Sequence, residues 1–185
     1  MNIFFKKRVA WFLTVLISCC CTTLNGQEGV VEYRFKAVYL LNFLQFTSWP
    51  DSAFRDKDYS PIIVGIMGND PFGKILDETM LPEKIDNHPI VIKRLSSTKE
   101  IEKCHMLFVS RSEQKRLSQI LQSVGDKPIL TVSDIPDFAE SGGIIQLYVQ
   151  DNKLKFSINL NSLNSSGVQI SSKLLRLATL VGGNY

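Results

Sequence analysis

The chain is poor in the side chains that usually carry chemistry. It has two histidines, His88 and His105, on different predicted strands, and four cysteines, three of them consecutive at Cys19, Cys20 and Cys21. A metal centre needs His, Cys or carboxylate ligands clustered at tight spacing, and the pattern offers no such cluster. Cys104 and His105 are neighbours, but adjacent residues of a strand point to opposite faces, which disfavours a thiolate–imidazole pair. No G-x-S-x-G elbow occurs, so that serine-hydrolase arrangement is excluded. Gly68 and Gly73 have the spacing of a phosphate loop, yet Lys74 is followed by Ile75 where a hydroxyl residue would reach magnesium. The third glycine of a dinucleotide fingerprint is missing as well, which leaves a tight turn ahead of a capped helix. Repeats and low-complexity tracts are absent. No cofactor and no catalytic residue are expected.

Long apolar runs are also scarce. The first one, residues 9–17, is interrupted by Thr14 and is too short for a membrane span, which takes about 20 apolar residues. Lys6, Lys7 and Arg8 precede it, and cysteine, threonine and asparagine follow it. A cationic start before a short apolar stretch is the layout of a secretory signal peptide, read here as residues 1–26. Two cleavage sites fit. Leu16-Ile17-Ser18-Cys19 is similar to a lipobox, which would place a lipid on Cys19; alternatively the cut follows Gly26 and leaves Gln27 at the new terminus. Residues 27–185 then form one domain, long enough to bury a sizeable core.

Positive charge is scarce once that segment is set aside. The whole chain carries +3, from 21 basic and 18 acidic residues; removing residues 1–18 takes three basic residues and no acidic ones, so the balance becomes 18 − 18 = 0. Nothing in it argues for nucleic acid. After cleavage at Gly26 only Cys104 remains, so no internal disulfide can form. Cys104 abuts an apolar strand, which predicts a buried, inert thiol, with an intermolecular bridge as the other reading.

What is present is an alternation of strands and helices. Residues 31–49 are densely apolar and predict a buried helix with Phe35, Val38, Leu41 and Leu44 on one stripe, ended by Trp49-Pro50. Residues 51–60 read as a polar loop. Residues 61–68, 88–95, 105–110 and 127–132 read as strands, the first, third and fourth being continuous apolar runs. Between them, Asp70-Pro71 opens a helix to about Met80, Ser97 with Glu100 forms a capping box, and residues 112–124 form an amphipathic helix stopped by Gly125. Ile145, Leu147 and Val149, then Leu154, Phe156, Ile158 and Leu160, alternate with polar residues around Asp151-Asn152, which predicts an antiparallel hairpin. Leu174, Leu175, Leu177, Ala178 and Val181 predict a last helix capped at Ser171 or Ser172, with Lys173 and Arg176 on its solvated side. The fold class expected is therefore three-layer α/β, a mainly parallel sheet with the C-terminal hairpin at one edge.

In such a sheet, ligands lie beyond the C-terminal ends of the strands, so Gly68, Asn69, Asp70, Ser110 and Asp134 make up a candidate ligand crevice. Asp134 also has a plainer role, capping the segment that follows it.

Seven motifs in order carry a resemblance. They are Lys36-Ala37-x-Tyr39-Leu40-x-Asn42-Phe43-x-x-Phe46-x-x-Trp49-Pro50, Gly65-Ile66-x-Gly68-x-Asp70-Pro71-Phe72-Gly73, Cys104-His105-x-Leu107-Phe108-Val109-Ser110, Leu130-Thr131-Val132-Ser133-Asp134, Phe138-Ala139-Glu140-x-Gly142-Gly143, Phe156-x-Ile158-Asn159-Leu160 and residues 171–178. Together they resemble the YfiR/HmsC-like family of secreted bacterial proteins. The resemblance implies a periplasmic α/β domain that is not an enzyme. It implies a regulator that holds back a membrane-bound diguanylate cyclase, or a similar signalling protein, by contacting its periplasmic sensor region. It implies a tendency to homodimerise. Relatives carry paired cysteines in disulfides, from which the single Cys104 departs. The second expectation, drawn from the crevice, is a periplasmic receptor for a small molecule or anion.

Overall fold

The computed structural model describes residues 29–54 and 60–183; the segment read as an export signal, and Cys19 within it, lie outside the described residues. In chain order the elements are α1 (residues 29–45), β1 (Thr47–Ser48), β2 (Ile62–Met67), α2 (Lys74–Met80), β3 (Lys84–Ile85), β4 (His88–Leu95), β5 (Met106–Val109) and α3 (Leu117–Val124). There follow β6 (Leu130–Ser133), β7 (Ile145–Gln150), β8 (Lys153–Asn159), α4 (Leu160–Ser166), β9 (Gln169–Ile170), α5 (Ser172–Leu175) and β10 (Thr179–Val181). One sheet has the order β10-β8-β7-β6-β5-β2-β4-β3, and β1 pairs with β9 in a small antiparallel ribbon.

The continuous apolar runs become the centre of this sheet because they are covered on both faces. Every residue of β5 and β6 is buried. Along β5, Met106 and Phe108 join a core shared with Leu40 and Phe43 of α1 and Leu76 of α2. Leu107 and Val109 join a second core with Leu117 and Ile120 of α3 and with Ile101 of the 3-10 helix Thr98–Lys103. Period-two alternation between two covering layers is the three-layer α/β arrangement expected. β4, β2, β5, β6 and β7 run parallel. β7 and β8 form the predicted hairpin, with Asp151 and Asn152 at φ 52° and 57°, as a two-residue turn requires. No helix among the described residues is long and apolar enough to cross a membrane.

Several elements depart from the sequence reading. The first helix ends four residues early, at residue 45, and Thr47–Ser48 leaves it as an extended pair bonded to β9. Its buried face is Lys36, Ala37, Leu40, Phe43 and Leu44; Phe35 and Val38 of the predicted stripe are exposed and Leu41 is half-buried. Leu160 does not extend β8. The Asn159 side chain accepts the Ser162 N–H at 3.1 Å and starts α4 there, and Gly167, at φ 70°, ends it. The last predicted helix is a single turn capped by Ser171, and the chain then adds β10 in parallel outside β8, so the hairpin is flanked by three further residues of sheet. The first half of the predicted helix 112–124 is a 3-10 turn, Arg111–Arg116. At the other edge β3 and β4 form a short antiparallel pair through Asp86 and Asn87, at φ 47° and 70°.

One glycine is fixed by close approach. The Gly143 N–H donates to the Phe138 carbonyl at 2.9 Å, and a Cβ there would fall 2.0 Å from the Phe138 ring. Phe138 is fully buried in the α3-side core and has no room to retreat. Gly143→Ala is expected to cost about 2–3 kcal/mol by overpacking, measured as a shift of the urea midpoint; a change under about 0.5 kcal/mol would show that the ring relocates freely.

Candidate functional site

The strand order reverses direction of travel between β2 and β5, so the C-terminal ends of these two strands and of β6 define the place where a crevice is expected. All five candidate residues stand at this end of the sheet, but they do different things. Gly68, at φ 90°, lies against Ser112 and Glu113; an added Cβ would meet Ser112 Oγ at 2.5 Å and Glu113 Cγ at 2.7 Å. The Asn69 N–H donates to the same Ser112 Oγ at 2.9 Å, so the notch between the strands is occupied by Ser112 and Glu113. The buried Ser110 donates its N–H to the Met67 carbonyl at 3.0 Å. Asp70 accepts from the Phe72 and Gly73 N–H groups, shaping the turn before α2, and from Arg94 Nε at 2.9 Å. Arg94 also grips Asp77 with both terminal nitrogens, and these bonds hold the Asp77 carboxyl below its usual range.

Asp134 is the centre of a buried charge cluster rather than a cap. The neighbouring Ser133 Oγ accepts the Ile135 N–H in its place. Lys36, only 1% exposed, donates from Nζ to Asp134 Oδ2 and pairs with Glu32 Oε1, both at 2.5 Å. The Tyr33 hydroxyl donates to Asp134 Oδ2 at 2.9 Å, and Arg111 Nε donates to the Asp134 carbonyl at 3.1 Å. Lys36 Nζ stands 4.3 Å from the centre of the Tyr33 ring, a cation–π contact. Burial first, and then the neighbouring Asp134 carboxylate, push the Tyr33 phenol well above its ordinary range. Asp134 Oδ1 has no hydrogen-bond partner among the described residues. Lys36 and Tyr33 were missed as site residues by sequence reasoning, although one signal was available: Lys36 is in helical register with Leu40, Phe43 and Leu44, on the face that the apolar residues occupy.

The opposite end of the sheet holds a second cluster. His105 is buried just before β5, and its Nδ1 accepts the Ile63 N–H at 3.0 Å, so the proton of the neutral ring is on Nε2. Its carbonyl accepts from Trp49 Nε1 at 3.0 Å and from the Leu130 N–H at 2.8 Å. The Phe54 ring lies 4.7 Å from both the His88 and the His105 rings. Burial holds His105 down at about 4, against a usual 6.5. Cys104 turns away from this stack: its Sγ would be 2.6 Å from a Cβ on Gly65, and burial pushes its thiol up to about 11. The thiol is thus the buried, protonated group that the sequence suggested, and it is poorly nucleophilic. A cavity of about 540 Å³ opens beside these residues. Among the described residues no group of three or more His, Cys, Asp or Glu side chains is placed to hold a metal ion.

Two outcomes follow from this geometry. Lys36→Met, which removes the buried cation and leaves Asp134 Oδ2 only Tyr33 and the more exposed Arg111, whose Nε lies 3.3 Å away, is expected to lose about 3 kcal/mol in chemical denaturation, and the Lys36→Met/Asp134→Asn double variant to lose less than the sum of the single changes; strict additivity would mean that the two groups are not coupled. The folded pKa of His105 is depressed, so its contribution to stability is whole above about pH 6.5 and falls away as the pH drops toward 4, because the unfolded chain binds the proton first. Urea midpoints at pH 7 and pH 4.5 are expected to fall less in His105→Gln than in the parent chain; equal falls would place the acid sensitivity elsewhere.

A family model described as YfiR/HmsC-like matches residues 33–179, from within α1 to the first residue of β10. The matched span contains the Lys36–Asp134 cluster, both hairpins and every parallel strand of the sheet's centre.

Proposed function

The chain belongs to the YfiR/HmsC-like family, known as periplasmic regulators of diguanylate cyclases, and from that premise we propose that it is an exported, non-catalytic regulator that binds the periplasmic sensor region of a membrane signalling protein, a diguanylate cyclase or a close functional equivalent. The observation that carries this reading is the outer face of α1. Phe35 is 59% exposed, Val31 54% and Val38 42%, and Phe46, just past the helix, is 38% exposed. Residues 31, 35 and 38 recur at the spacing of one helical stripe, and the side opposite is packed on the sheet. A stripe of this kind on a rigid element, rimmed by the charged residues Glu32 and Arg34, suits an apolar helical segment of a partner.

Regulation then needs no chemistry from this chain. If the stripe fits one conformation of the sensor region better than another, binding shifts the cyclase population toward that conformation. A tenfold shift takes about 1.4 kcal/mol of differential affinity, well within what two buried aromatic or branched side chains supply. A second copy of the chain is the competing occupant of the same face.

Phe35→Asp and Val38→Asp point into solvent and are expected to leave the thermal midpoint within about 2 °C of the parent, while abolishing co-purification of a membrane diguanylate cyclase and raising cellular cyclic-di-GMP to the level of a deletion strain. Unchanged cyclic-di-GMP in both variants would refute the reading. Conversion of a dimer to a monomer, with cyclase capture intact, would assign the stripe to self-association instead.

A further inference from the structure

We propose that the cavity at the N-terminal end of the parallel strands binds a small organic anion, a carboxylate attached to an apolar body. The cavity, about 540 Å³, falls in the size range of small-molecule sites. It lies at the opposite end of the sheet from the Lys36–Asp134 cluster, beside the starts of β2, β5 and β6. Its composition is segregated. Ile63, Ile129 and Pro128 supply apolar wall, while Lys93, Lys103 and Lys127 stand around it with Glu102 as the only acidic lining residue among those described. Among the described lining residues, three cations against one anion leave a formal +2 beside a partly apolar wall.

The lysines are not equivalent. Lys127 Nζ donates to the Ser123 and Val124 carbonyls and so closes the C-terminal end of α3. Lys93 and Lys103 are exposed, and neither makes an ion pair among the described residues. They are the free charges of the site. His105 lines the same wall. Its proton is on Nε2, as its Nδ1 accepts from Ile63; Nε2 itself is covered, and the Ala53 backbone is the hydrogen-bonding neighbour that acts on the ring. The attraction for a carboxylate therefore rests on Lys93 and Lys103, with the neutral His105 ring as part of the wall beside them. An inorganic anion would satisfy the lysines but leave the apolar wall wet. A neutral apolar molecule would fill the wall but ignore the lysines. The combination selects for an amphipathic acid, whose two ends use both.

The inference is independent of the partner reading, since the cavity and the outer face of α1 share no residue. The test is titration of the ¹⁵N-labelled chain with benzoate, octanoate, benzylamine and inorganic phosphate. Benzoate or octanoate is expected to give saturable amide shifts confined to Ile63, Cys104, His105, Ile129 and their neighbours, with a dissociation constant that weakens about tenfold in Lys93→Ala/Lys103→Ala and is unchanged in Lys173→Ala/Arg176→Ala and in Phe35→Asp. The proposal is overturned if neither acid gives saturable shifts at these amides, if phosphate or benzylamine shifts them as strongly as benzoate does, or if loss of the two lysines leaves the affinity unchanged.

Discussion

The Lys36–Asp134 pair decides which way the first helix faces. A helix with apolar residues on most of its surface can bury several alternative faces at similar gain, because area burial is non-directional. Charge removes that freedom. Asp134 is carried to the end of β6 inside the fold, and an isolated carboxylate there would be costly. The rotation that brings Lys36, with Tyr33 three residues before it, onto Oδ2 adds a buried cation and a hydroxyl donor to the more exposed Arg111, whose Nε stands 3.3 Å from the same oxygen. The net gain in stability from such a pair is small or absent once desolvation is counted; its value is that it makes one rotation far better than the others. The consequence is written on the far side of the helix. With Lys36, Leu40, Phe43 and Leu44 turned inward, Val31, Phe35 and Val38 must face out.

That outcome separates the two ends of the sheet by role. At the strand C-termini, where α/β proteins commonly keep a ligand, Ser112, Glu113, Tyr33 and Lys36 take up the space, and the polar groups there, Asp134 Oδ1 excepted, are spent on each other. The surface this end supports is an apolar stripe, suited to another macromolecule. At the strand N-termini the chain passes through Trp49, Phe54, His88 and His105, whose rings and carbonyls tie the loop after α1 to the sheet and leave a hollow beside it. If the proposed partner face and the proposed ligand hollow both serve as argued above, the chain has the parts for a signal to reach a partner through a small molecule.

The fold was largely legible because its signals are local. Continuous apolar runs marked β2, β5 and β6, and Asp151-Asn152 marked the hairpin, since a two-residue turn with both φ angles positive favours those residues. The same pair at Asp86-Asn87 makes a second turn that was overlooked, because β3 is only two residues long and shows no alternation. Leu160 kept the alternation of β8 for one residue too many; Asn159 and Gly167, a cap and a stop, were the better guides to α4. The rotation of α1 was not legible from its own sequence. Phe35 and Val38 are as apolar as Leu40 and Phe43, and what distinguishes them is an aspartate 98 residues away from Lys36. Of the candidate crevice, the placement of Gly68, Asn69, Asp70, Ser110 and Asp134 at one sheet end was legible from topology, whereas the side chains that fill it come from α1 and from residues 111–113, whose approach no periodicity encodes.

The account stands on the outward face of α1 being the surface that touches the signalling partner. A photo-crosslinking amino acid placed at position 35 in living cells tests that contact at a single point, with position 177 on the far C-terminal segment, itself 75% exposed, as the reference. The account predicts a covalent adduct between position 35 and the periplasmic segment of a membrane diguanylate cyclase, and none from position 177. Adducts from 177 and none from 35 would contradict it.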